Sequence, residues 1–212
     1  MIIGRGKLAE YLSQIGFYSD LNIEKFDNYY TELVAMNQKI NLFSRKMQLE
    51  EIWTRHFIDS LRIFEIYQEW SGKKVLDFGT GGGLPGLPIK ILAVDSEVTF
   101  LDSTRKKVEA LREMAEKMQL MGVFFKSDRI EALQRTKFDI IVSRAVKITP
   151  KIASSLLKLL NKEGKIFLYK SEKLDDIACF KDYTLHKLES YDYSPQQVGI
   201  ATERNIVEIK NG

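Results

Sequence analysis

The chain has 212 residues, 44% of them hydrophobic and 29% charged, which is the balance of a soluble globular protein with room for one domain or one domain and an appendage. A formal net charge of +3 and a pI of about 8.8 are mildly basic, compatible with a nucleic-acid partner without demanding one. Cys179 is the only cysteine and His56 and His186 lie far apart, which excludes an internal disulfide and a zinc-type ligand spacing; no apolar run reaches the roughly 18 to 20 residues of a bilayer span and no signal-peptide pattern opens the chain, so reducing cytoplasm is the expected compartment.

Residues 1–70 read as a helical extension. Lys7 to Ile15 is a short amphipathic stretch. Asn22 is placed to cap a longer helix in which Phe26, Tyr30, Leu33 and Ile40 recur at helical spacing. A third helical pattern, Leu49 to Tyr67, sets Ile52, His56 and Leu61 near one face with Trp53, Phe57 and Phe64 beside it, an aromatic stripe expected in the core. After Trp70-Ser71-Gly72 the rhythm becomes strand and helix in alternation, so residues 71–212 form the main domain. Strands are predicted at Lys74 to Phe78, Glu97 to Asp102, Gly122 to Lys126, Phe138 to Arg144 and Lys165 to Lys170, with helices at Leu87 to Ala93, Arg105 to Gln119 and Lys151 to Asn161. Pro85 and Pro88 suit a helix start, where no N–H is needed, and Gly164 is placed to stop the helix ending near Asn161. Two terminal strand-like runs, Thr184 to Tyr191 and Asn205 to Lys210, predict a parallel sheet closed by a reversed edge hairpin.

The first strand ends in Asp77-Phe78-Gly79-Thr80-Gly81-Gly82-Gly83. Alternating glycines let the backbone turn tightly and admit a ligand close to its amides, at the carboxyl edge where open parallel sheets bind nucleotide-like molecules. The acid stands two residues before the first glycine, and Leu84 occupies the third-glycine position of a dinucleotide loop. Together with the paired terminal strands, this favours S-adenosylmethionine (SAM) over a dinucleotide and predicts a class I SAM-dependent methyltransferase: a Rossmann-like, mostly parallel seven-stranded sheet. A tight turn without ligand is the plain alternative.

Other strand ends supply the rest of a crevice. Asp102 can accept hydrogen bonds from both ribose hydroxyls, or simply cap the next helix. After the third strand come Ser127-Asp128-Arg129-Ile130-Glu131, where an aliphatic side chain could cover an adenine and a neighbouring backbone group could read its amino group, or where the chain merely turns in solvent. Arg144 ends the fourth strand beside the first, an unusual place for arginine unless it binds an anion or pairs with an acid.

Five segments standing in one order carry a family resemblance: Asn37-Gln38-Lys39-Ile40-Asn41-Leu42, Arg55-His56-Phe57-Ile58-Asp59-Ser60-Leu61, Asp77 to Gly86, Leu101-Asp102-Ser103 and Phe138 to Ala145. Over about Asn37 to Lys210 the chain resembles ribosomal RNA small subunit methyltransferase G, also called glucose-inhibited division protein B. The resemblance implies an enzyme that methylates N7 of a guanine in the 530 loop of 16S ribosomal RNA, position 527 in the usual rRNA numbering. It carries SAM contacts over to Gly79, Leu84, Ile130, Glu131 and Arg144; the loop and strand-end arguments add Gly81 and Asp102. Arg144 and Asn41 are the candidate catalytic residues, expected to tolerate the cation that N7 methylation leaves on the purine. Arg55 and Asp59, four apart on one helix, can pair. His56 either shapes the site or is a satisfied, half-buried histidine. Arg45, Arg55, His56, Lys147 and Lys170 are candidate RNA contacts, with Lys46, Arg105, Lys106 and Lys107 as further cations. Ser171 stands where relatives usually have glycine after the fifth strand.

Neither a metal nor a general base is expected, and the protein is expected to act as a monomer on the small ribosomal subunit or its rRNA. A SAM enzyme acting on another RNA or on a small molecule, and a nucleotide-binding module without catalysis, are the readings that compete.

Overall fold

Apolar runs bounded by turn residues become buried strands because a parallel strand packed on both faces needs apolar side chains on both. Val75 and Leu76 show this: successive residues of the first strand point to opposite faces, and each enters a different apolar cluster. The computed structural model describes residues 3–133, 136–171, 174–191 and 202–210. Its seven strands are β1 (Lys74–Phe78), β2 (Glu97–Leu101), β3 (Val123–Lys126), β4 (Phe138–Arg144), β5 (Leu160–Lys170), β6 (Thr184–Tyr191) and β7 (Thr202–Lys210), in the spatial order β3-β2-β1-β4-β5-β7-β6. Every neighbouring pair from β3 to β5 is parallel. The hairpin prediction needs one refinement: β7 alone runs against the rest, inserted between β5 and β6, and β6 forms the edge.

Helices α1 (Ile3–Gln14) and α2 (Asp20–Lys39) lie on the same face as α4 (Gly86–Leu92) and α5 (Arg105–Lys117). Their buried Leu8, Phe26, Tyr29 and Leu33 join Val75, Phe100, Val142 and Phe167 in one continuous cluster. The opposite face is covered by α6 (Pro150–Leu159), with Leu156 and Leu159 against Leu76, Ile141 and Leu168. Among the described residues no helix is long and apolar enough to cross a membrane.

Four local expectations change. Ser19, not Asn22, caps α2: the Ser19 hydroxyl accepts from the Asn22 N–H at 3.1 Å, while the Asn22 amide donates back to the Phe17 carbonyl at 2.9 Å. The third helical pattern is a π-helical turn (Ile52–Ile58), a short α3 (Asp59–Leu61) and a 3-10 turn (Arg62–Glu65). Arg55 and Asp59 do not pair. Arg55 bonds Glu51 at 3.1 Å on the exposed side, whereas Asp59 is fully buried and faces the sheet. Gly164 caps nothing, because α6 ends at Leu159 and β5 begins at once. Asn161 bonds the Asp139 carboxylate at 2.6 Å, and the Lys137 ammonium bonds the Leu160 carbonyl, which holds that segment extended beside β4.

Candidate active site

The glycine loop is held from below, behind and beside. Asp77 ends β1 fully buried, and its Oδ2 accepts from the Thr80 hydroxyl at 2.6 Å and the Gly86 N–H at 3.0 Å. It ties both ends of the loop together and does not line the cavity above. Burial pushes its carboxyl up to about 6, although both hydrogen bonds favour the charged form. Behind the loop, the Tyr29 hydroxyl of α2 donates to the Gly82 carbonyl at 2.8 Å, so the N-terminal helices help to set the loop's position. At its start Gly79 adopts φ of +75° with Val146 packed where a Cβ would go, two independent reasons for glycine there.

Above the loop lies a cavity of about 720 Å³. Its walls include Gly79, Gly81, Leu84, Asp102, Ile130, Glu131 and Arg144, so the structure gathers all seven predicted SAM contacts around one space. Asp102 is not the cap of α5; Thr104 is. Its Oδ2 accepts from the Gly81 N–H at 3.1 Å and its Oδ1 from the Thr104 N–H at 2.8 Å, and each oxygen keeps a lone pair for a ribose hydroxyl. Ile130 is buried and contributes an apolar wall; Glu131 pairs with Lys151 at 3.1 Å.

A second cavity, of about 1240 Å³, adjoins the first. Met47, His56, Arg144, Ala145 and Val146 line both and form the junction. There Arg144 Nη1 donates to Asp59 Oδ2 at 2.8 Å and to the Arg55 carbonyl at 3.3 Å, and Nη2 lies 3.4 Å from His56 Nδ1. Arg204, from β7, donates through Nε to Asp59 Oδ1. One buried carboxylate thus carries two guanidinium groups, and Tyr169 braces the same turn by donating to the Ser60 carbonyl at 2.6 Å.

His56 Nδ1 lies 3.1 Å from the Arg55 carbonyl and 3.4 Å from Arg144 Nη2, so it donates to the first in one tautomer and accepts from the second in the other. Nε2 is buried without a protein partner among the described residues. Burial, reinforced by the Arg144 charge, pushes the imidazole down to about 3, so it is neutral at physiological pH. The unfolded chain therefore binds a proton at this histidine below its ordinary 6.5 that the folded chain refuses, and the stability it contributes above 6.5 is lost progressively toward pH 3. Asp77 has the opposite sign: its raised carboxyl favours the fold below 3.8, and that contribution is lost as pH rises through 6. A His56→Gln variant should accordingly gain on the wild type by about 1 kcal/mol between pH 6.5 and 5.5. Urea unfolding at both values checks this; a pH-independent difference would refute it.

The remaining predicted residues divide. Lys147 and Arg55 are exposed on the wall of the second cavity. Lys170 lines it too, but its ammonium is held by Asp176 at 2.6 Å and the Val146 carbonyl at 3.2 Å. For Asp176, burial acts to raise the carboxyl, and the bonds from Lys170 and the Ile148 N–H outweigh it and hold it below the usual range. Asn41 and Arg45 are exposed and line neither cavity; the asparagine built into this segment is Asn37, whose Oδ1 accepts from the Leu42 and Phe43 N–H groups. Arg105 pairs with Glu109 on the surface, and Lys107 reaches the first cavity. Sequence reasoning missed Arg204, Tyr169 and Met47.

A sheet in the order β3-β2-β1-β4-β5-β7-β6, with a glycine loop after β1 and an acid after β2, defines a class I SAM-dependent methyltransferase, and SAM is its cofactor. Solved structures agree on the fold. TrmN from Thermus thermophilus superposes with a TM-score of 0.58 at 17% identity, covering 74% of this chain and 53% of that one. Precorrin-6y C5,15-methyltransferase from Geobacter metallireducens gives 0.58 at 12% identity, covering 71% and 86%. More specifically, the chain belongs to the rRNA small subunit methyltransferase G family, which it matches over residues 22–207. Relatives named ribosomal RNA small subunit methyltransferase G include one from Lachnoclostridium phytofermentans, 36% identical over 80% of this chain and 73% of its own, and one from Lactobacillus delbrueckii subsp. bulgaricus, 35% identical over 79% and 73%.

Proposed function

We propose that the protein methylates N7 of guanine 527 in the 530 loop of 16S rRNA, as a cytoplasmic monomer, with the cofactor in the first cavity and the target base in the second. The observation that carries the base assignment is the junction between the cavities. Its one charged side chain is the Arg144 guanidinium, with His56 beside it, and the carboxylate that Arg144 contacts, Asp59, is shared with Arg204. The major-groove edge of guanine presents two acceptors, N7 and O6, whereas adenine presents an acceptor and a donor. A cationic guanidinium at the junction suits an edge that presents acceptors alone.

When bound, SAM supplies an activated methyl group. Asp102 and the Gly79–Gly81 backbone would hold its nucleoside, and Ile130 would cover the adenine. The protein's own part is positional. Guanine N7 carries an in-plane lone pair at neutral pH, so no proton has to be removed, and the neutral His56 is not needed as a base. Met47, Ala145 and Val146 border the junction with apolar surface. Holding two reactants in line in such a site accounts for much of the rate of a transfer of this kind. The base must leave its stack to reach the junction, as for other enzymes that act on a nucleobase.

Incubating the protein with labelled SAM and small subunits lacking the modification tests the reading. Label is expected at the 530-loop guanine, and label elsewhere or none would overturn it.

A further inference from the structure

We infer that Arg204 is a phosphate-binding residue, and that the part of the second cavity it lines receives the backbone of the target strand. The inference rests on the reading that this cavity takes RNA. Asp59 needs one guanidinium to balance its charge and has two, so the buried cluster carries a surplus positive charge. The surplus extends outward: the cavity is lined by five cationic side chains, Arg55, Arg144, Lys147, Lys170 and Arg204, against three carboxylates, Asp59, Asp175 and Asp176. Lys170 and Asp176 cancel one another at 2.6 Å.

Arg144 and Arg204 do not share one task. Arg144 is spent on Asp59, the Arg55 carbonyl and His56 and stands at the junction with the cofactor cavity. Arg204 contributes only Nε to Asp59, and among the described residues its two terminal nitrogens take no other partner. It is partly exposed, and it lines the second cavity alone, so the cofactor is not its ligand. A guanidinium anchored through Nε on the wall of a basic cavity is preorganised for a phosphate, which it can bind with two parallel N–H···O bonds. The strand β7 that carries it is clamped on both sides by β5 and β6, so the guanidinium is held by rigid backbone.

The test compares wild type, Arg204→Gln and Arg204→Lys for binding a fluorescent single-stranded RNA of the 530-loop sequence, with the anisotropy followed between about 50 and 200 mM salt. Arg204→Gln should bind roughly tenfold more weakly, and its plot of log affinity against log salt should be shallower by about 0.7 to 0.9, the signature of one lost phosphate contact. Arg204→Lys keeps the charge and the ion pair, so it should fold as the wild type, keep the slope, and lose only the severalfold affinity that belongs to the two-pronged bond. The dissociation constant for SAM should be the same in all three. Unchanged affinity and slope in a folded Arg204→Gln, or weakened SAM binding, would overturn the assignment. Should Arg204→Gln fail to fold, full wild-type affinity in Arg204→Lys would overturn it instead. Methylation of small subunits by the wild type is measured in parallel; its failure would remove the guanine reading while the salt slopes still decide whether Arg204 holds phosphate.

Discussion

Arg144→Ala should lower the rate of methyl transfer to small subunits by about 10² to 10³-fold, the loss seen when a preorganised donor is removed from a reaction centre. The side chain ends β4 where both cavities meet, its Nη1–H holds Asp59 Oδ2, and its Nη2 lies beside His56 Nδ1. Without it the junction loses its positive charge, and the His56 ring loses the neighbour at 3.4 Å that it packs beside. The fold should survive. Asp59 keeps Arg204, so the loss is that of one charge-assisted hydrogen bond, about 1.5 to 3 kcal/mol, below the roughly 3 to 5 kcal/mol of a fully orphaned buried charge. Single-turnover transfer at saturating SAM, with urea unfolding alongside, measures both. Arg144→Lys should fall between, since an ammonium restores charge but cannot reach Asp59, Arg55 and His56 together. A transfer rate in Arg144→Ala within about threefold of wild type, less than 1 kcal/mol in barrier, would remove Arg144 from the reaction.

How much of this was legible in the sequence follows from where each signal resides. The predicted bounds of β1, β4 and β6 match the structure at both ends, because a buried strand announces itself by composition over its own length. The place of the cofactor cavity was legible for a related reason: in a doubly wound sheet, strand ends converge on one edge, so finding the strands finds the edge, while the family resemblance singled out Gly79, Leu84, Ile130, Glu131 and Arg144 there. Residues 52–65 were not. Their helical period is present, but the geometry is set by Asp59 reaching Arg144 and Arg204, 85 and 145 residues away, and by Tyr169 on the Ser60 carbonyl. No local pattern encodes partners at that distance, and Arg55, four residues from Asp59, looked like the natural partner. Arg204 escaped for the same reason, as one cation among several in a terminal strand whose position between β5 and β6 only the folded sheet reveals.

Gly86→Ala should abolish useful SAM binding although position 86 touches no predicted ligand contact. A Cβ built there would lie 2.6 Å from Asp77 Oδ2, 2.7 Å from Asp77 Cβ and 2.9 Å from Cγ. The rigidity of both partners decides the outcome. Asp77 belongs to β1, which is held by β2 on one side and β4 on the other, so its Cβ cannot retreat. Gly86 opens α4, whose Leu87 and Ile89 are fully buried in the larger core, so the helix has no slack either. The collision has to be relieved in the loop between them. Overpacking of this kind costs about 1 to 3 kcal/mol, and losing the Gly86 N–H bond to a buried carboxylate adds about 1.5 to 3. Thr80 is fixed by that same oxygen, so Gly79, Gly81 and Leu84 should shift with it, and SAM affinity should fall by about 10²-fold, or 2.7 kcal/mol. Calorimetric titration with SAM and urea unfolding measure the two effects. The attribution has its own control, because an Asp77→Gly background removes the three atoms nearest to the new methyl. There the stability cost of Gly86→Ala should shrink by at least about 1 kcal/mol, a coupling that distant, independent sites do not show. Additive costs would mean that the methyl is accommodated elsewhere and that Asp77 is not what requires a glycine at position 86.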